Sequence, residues 1–78
     1  MLAVKISLNS IDKVTSFVND ISSFSAEFDL VSGRYVIDAK SIMGIFSLDI
    51  SKPIELHIHT ENEEEEEIMA TIKPYLAE

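Results

Sequence analysis

The chain has 78 residues, 46 % of them hydrophobic and none of them cysteine, which makes a single domain over residues 1–78, excludes disulfides and thiolate metal sites, and fits a cytoplasmic location. The net charge of −8 is concentrated: six of the fourteen acids lie in ENEEEEE (61–67), and the remainder sets eight acids against six bases, too little positive charge to displace the counterions of a nucleic acid. No apolar run approaches the roughly 20 residues that cross a bilayer, and Lys5 interrupts the apolar stretch at the start, so neither a leader nor a membrane partner is expected.

MLAVKISLNS alternates, with Leu2, Val4, Ile6 and Leu8 on one face and Ala3, Lys5 and Ser7 on the other. This is the pattern of a half-buried strand. Asn9 or Ser10 can then cap a helix, with Asp12 in its first turn complementing the dipole. Ile11, Val14, Phe17, Val18 and Ile21 follow at helical spacing as one apolar stripe. The serines of ISSFS compete with helical hydrogen bonds and fray its end. AEFDLV (26–31) alternates again with Ala26, Phe28 and Leu30 inward, SG (32–33) makes a tight turn, and RYVIDA (34–39) returns as the second arm of a hairpin.

KSIMGIFSL (40–48) comes next, too short for an ordinary helix and without strict alternation. A polar link leads to IELHIHT (54–60), a strand with Ile54, Leu56 and Ile58 inward and Glu55, His57 and His59 outward. A last helix is expected to start near Thr60 or Asn62, each with a glutamate three residues on, and the Glu run reads as its solvated first turns. Ile68, Met69, Ile72 and Leu76 supply its buried face, and Pro74 should end or kink it. His57, His59 and Glu55 form at best an incomplete ligand set, so neither a metal nor another cofactor is expected. Strands with a single apolar face need one covering layer, which amphipathic helices provide: an α+β fold, a four-stranded antiparallel sheet with helices on one face and the other open to water.

This element order, with the Lys-Ser-Ile-Met-Gly segment ahead of a link and a final strand, resembles the HPr family, the small phosphocarriers of the bacterial sugar phosphotransferase system. Ser-Ile-Met-Gly in that setting is typical of members from Gram-positive bacteria. The resemblance implies an open-faced β-sandwich with strand order 1-4-2-3, two long helices and one short helix. It also implies that the short helix after Ser41 belongs to the surface where family members meet protein partners. Ile42, Met43 and Phe46 are therefore candidate contacts, the other apolar residues of the segment serving the core.

The family carries phosphate on a histidine in a Gly-Ile-His-Ala-Arg-Pro motif opening the first helix. Family spacing puts that histidine position on Ser10 and the arginine position on Asp12, with Lys13 in place of the proline, in LNSIDKVTS. An acid where phosphate should sit is electrostatically unfavourable. This departure resembles the Crh-type regulators, which keep the serine and lack the histidine. Ser41 caps the short helix on either reading; in Gram-positive members the matching serine is also phosphorylated by an ATP-dependent kinase. The expectation is a non-enzymatic, partner-binding protein with Ser41 as a kinase-controlled switch, the partners being a serine kinase or a transcriptional regulator of carbon metabolism. A phosphocarrier component and an interaction module without phosphorylation are the alternatives.

Overall fold

The computed structural model describes residues 2–60 and 64–77. Its elements run β1 (Leu2–Ile6), α1 (Ile11–Ile21), β2 (Glu27–Ser32), β3 (Tyr35–Asp38), α2 (Ile42–Ile45), β4 (Ile54–His59) and α3 (Glu65–Ile72), followed by a 3₁₀ turn over Lys73–Tyr75. The four strands form one antiparallel sheet in the order β1-β4-β2-β3. This is the expected open-faced arrangement, with the helices on one face.

Registry makes the core continuous. Ile6 lies opposite Ile54, Val4 opposite Leu56 and Leu2 opposite Ile58, while Phe28 and Leu30 of β2 lie opposite Ile58 and Leu56. One-residue slips would turn this whole row to solvent, so the alternation pins the pairing. Onto that face α1 lowers Val14, Phe17 and Ile21, α2 lowers Ile45, and α3 lowers Ile68 and Ile72, all of them fully buried. No polar or charged residue is buried among the described residues.

The hairpin turn sits one residue later than SG suggests. Ser32 still pairs, with Tyr35, so the two central residues are Gly33 and Arg34. Gly33 has φ +60, a value glycine adopts without a Cβ penalty and which a II′ hairpin requires at its first central position. The first strand also stops early, at Ile6, although Leu8 beyond it is buried.

The last helix departs most from expectation. It opens at Glu65 rather than near Thr60, and its N-cap is Glu64, whose side chain makes no capping bond. The Glu64 carboxylate is used elsewhere: it accepts the Ser25 hydroxyl at 2.7 Å and the Ser25 amide at 3.4 Å. That ties the start of α3 to the loop after α1. The Asn62 alternative lies outside the described residues. Pro74 acts as expected, since the α-helix ends at Ile72 and continues only as the 3₁₀ turn.

Candidate functional site

Ser10 is the N-cap of α1, in extended backbone with φ −149 and ψ 158. Its hydroxyl accepts the Lys13 amide at 3.2 Å, and its carbonyl accepts the Val14 amide at 3.1 Å. The side chain is exposed, as are those of Asp12 and Lys13 in the same turn. Asp12, Lys13 and Ser16 face Pro74 and Tyr75 across an open depression of about 270 Å³.

Ser41 repeats the pattern at α2. It is the N-cap, its hydroxyl accepting the Gly44 amide at 3.3 Å and its carbonyl the Ile45 amide at 3.1 Å. The Asp38 carbonyl and carboxylate accept the Ser41 and Lys40 amides at 3.0 and 2.9 Å, so the approach to α2 is held from β3. The Lys40 ammonium donates to the Phe24 carbonyl at 2.8 Å and stands 5.6 Å from the centre of the Phe28 ring. Such a cation over an aromatic face contributes about 0.5–1 kcal/mol at an exposed site.

The apolar residues of KSIMGIFSL divide by depth. Ile45 is fully buried, and Ile42 and Leu48 are partly buried against the core. Met43 is 77 % exposed and Phe46, the C-cap of α2, is 40 % exposed. Ile11, which periodicity assigns to the buried stripe of α1, is 69 % exposed. Periodicity gives the angular position of a residue on a helix, not where along the axis the helix leaves the core; Ile11 occupies the first turn. It adds an exposed apolar residue on α1, which packs against α2.

Both histidines lie in β4. His57 donates its Nε2–H to the Glu55 carboxylate, and His59 donates Nε2–H to Asp29 Oδ2 at 2.9 Å. They belong to the open face of the sheet, His57 being flanked by Ala3 on β1 and Asp29 on β2. Among the described residues, no three His, Cys, Asp or Glu side chains converge on a metal position. Likewise, no helix is long and apolar enough to cross a membrane.

Tyr75 is absent from the sequence-derived core yet is buried there. Its ring meets Phe17 edge-on at 5.4 Å between centroids, and its hydroxyl donates to Asp20 Oδ2 at 2.8 Å. The residue continues the stripe of Ile68 and Ile72 at i+7, a signal that Pro74 conceals. Burial, then the bond to Asp20 and its charge, push the phenol up to about 12. A folded-state value above the unfolded one means that this contribution is complete below pH ~10 and is lost as pH rises toward ~12. Tyr75→Phe should therefore unfold less steeply than the parent chain across that window in pH-dependent urea titrations. Parallel curves would show that the phenol does not ionise on unfolding.

The family model described as the PTS HPr component phosphorylation site matches residues 12–78. A search of curated proteins finds no match. Among solved structures, HPr-C-His from Thermoanaerobacter tengcongensis is 28 % identical with a TM-score of 0.76, over 95 % of this chain and 89 % of that one. A phosphocarrier protein HPr from Bacillus anthracis str. Ames is 27 % identical with a TM-score of 0.73, over 97 % and 94 %. The family match over most of the chain, on a sheet of order β1-β4-β2-β3 covered on one face, places this chain in the HPr family of the phosphotransferase system.

Proposed function

We propose that this chain is a regulatory, partner-binding member of the HPr family, a family of carriers and regulators rather than catalysts, and that it works without a phosphocarrier histidine. The observation that carries the reading is Ser10. An exposed serine caps α1 where the resemblance puts the histidine, with Asp12 beside it, and both histidines of the chain are in β4 and paired with carboxylates. A phosphoryl group at Ser10 would share the first turn of α1 with the Asp12 carboxylate, and a serine phosphoester holds its phosphate too firmly to pass it on. The family match begins at Asp12, two residues beyond Ser10, which accords with a departure at that point.

Met43, Phe46 and Ile42 are the docking contacts in this reading, and Ser41 is the switch. A phosphate on Ser41 adds close to two negative charges beside an exposed methionine and phenylalanine, altering which partner surfaces fit.

The test is incubation with ATP and the HPr serine kinase of a Gram-positive host, read by intact mass beside Ser41→Ala. One phosphate on the parent chain and none on the variant is the expected result. No transfer, while an authentic HPr is phosphorylated in the same reaction, would leave Ser41 a helix cap and favour a binding module without phosphorylation. A phosphocarrier role is the second reading, favoured by the phosphocarrier description of the Bacillus anthracis relative. Acid-labile phosphate on a histidine after incubation with phosphoenolpyruvate and the upstream enzyme would establish it.

A further inference from the structure

β1 is an outer strand of the sheet, yet its outer side is partly occupied by the chain's own residues 75–77. The Ser7 amide donates to the Tyr75 carbonyl at 2.8 Å and the Ala77 amide donates to the Lys5 carbonyl at 2.9 Å. These two bonds frame an antiparallel bridge between Ile6 and Leu76. The strap is anchored by Tyr75, through its contact with Phe17 and its bond to Asp20. Backbone groups alternate along a strand, so Leu2, Val4 and Ile6 serve the pairing with β4 while Ala3, Lys5 and Ser7 point outward. Among the described residues, no backbone group pairs with the outer side of Ala3 or with the Lys5 amide.

We infer that residues 75–77 are a displaceable strap over a strand-pairing surface, and that the partner this surface fits is β1 of a second copy, running antiparallel about a two-fold axis at Val4. Centred there, the Lys5 amide of each copy meets the Ala3 carbonyl of the other, using the outward groups the strap leaves open. Lys5 stands opposite Ala3 and Leu2 opposite Ile6, so no like charges oppose and the apolar face continues across the junction. Centring on Lys5 would instead set two ammonium groups face to face. Unpaired strand edges invite such addition, and covering them is a common defence. The strap is that cover, and lifting it joins two four-stranded sheets.

Two variants test this: a chain ending at Tyr75, which keeps the buried ring, and the full chain with Ala77→Pro. Leu76 already has φ −61 and ψ 132, the conformation a residue before proline adopts, so Ala77→Pro removes the N–H donor to Lys5 without redirecting the backbone. Sedimentation equilibrium over a concentration series should find the parent as one chain and the shortened chain doubling in mass as concentration rises. Amide exchange at Lys5 should slow in parallel. In the shortened background, Ala3→Lys should restore one chain and Ala3→Glu should lower the concentration at which the mass doubles; Ala3 is exposed, so neither change strains the fold. A folded shortened chain that keeps the mass of one copy overturns the inference, as does a dimer indifferent to Ala3→Lys. Should the shortened chain fail to fold, Ala77→Pro decides by the same measurements.

Discussion

Phe28→Ala is expected to lower the stability of the chain by about 3–5 kcal/mol, the usual cost of deleting a buried aromatic ring. Proteins are stabilised by roughly 0.05–0.15 kcal/mol per residue, so the loss removes a quarter or more of what a domain of 78 residues possesses. Three features place Phe28 at the upper part of that range. The residue is 1 % exposed and lies opposite Ile58 in the middle of the sheet, leaving neighbours on both sides that cannot collapse into the void. The Phe24 ring packs against it at 6.4 Å between centroids. The Lys40 ammonium also stands over its face, so truncation removes that cation–aromatic contact as well. Urea unfolding followed by circular dichroism should show the midpoint collapse, with Phe28→Leu intermediate because it refills part of the volume. A shift below about 1 kcal/mol would mean that the helical layer repacks over the cavity, contrary to the close-packed core described above.

Sheet alternation made the fold legible: the inward faces of β1, β2 and β4 were readable from a period of two, and the inward set Phe28, Leu30, Ile54, Leu56 and Ile58 is buried, whereas β3, with Tyr35 and Val36 exposed, carries no such alternation. Helix ends were less so, because local rules meet tertiary competitors there. The capping motif near Thr60 has the required residues, but α3 starts at Glu65 and the Glu64 carboxylate is bound to Ser25, a residue distant in sequence. Tyr75 was hidden by Pro74, which marks the end of an α-helix but does not prevent a 3₁₀ turn from carrying the apolar stripe one residue further. At the candidate site, the caps at Ser10 and Ser41 were legible because capping is local chemistry. The exposure of Ile11 and the commitment of Lys40 to Phe24 were not, since both depend on where the helices lie over the sheet.

Under the function proposed above, Met43→Glu is expected to leave the fold intact and to impair partner engagement by about 10–30-fold, read as kcat/KM for phosphorylation of Ser41 by the serine kinase. The magnitude corresponds to losing about 1.4–2 kcal/mol, the threshold at which an interface residue counts as dominant. Met43 is 77 % exposed and outside the core, so its replacement creates no cavity and the thermal midpoint should move little. A carboxylate at this position must be desolvated against whatever apolar surface the partner presents. Met43→Leu keeps volume and apolarity and should retain most of the activity, which separates loss of contact from loss of methionine itself. Ile45→Glu would be uninformative, since that residue is fully buried and its replacement would destroy the fold along with the surface. Phosphorylation of Met43→Glu at the parent rate would show that the kinase does not dock on α2, and the exposed Ile11 on α1 would then become the residue to replace. A kcat/KM that falls through KM alone points to docking. A fall in kcat at constant KM points instead to misplacement of the Ser41 hydroxyl, whose bond to the Gly44 amide lies within the same short helix.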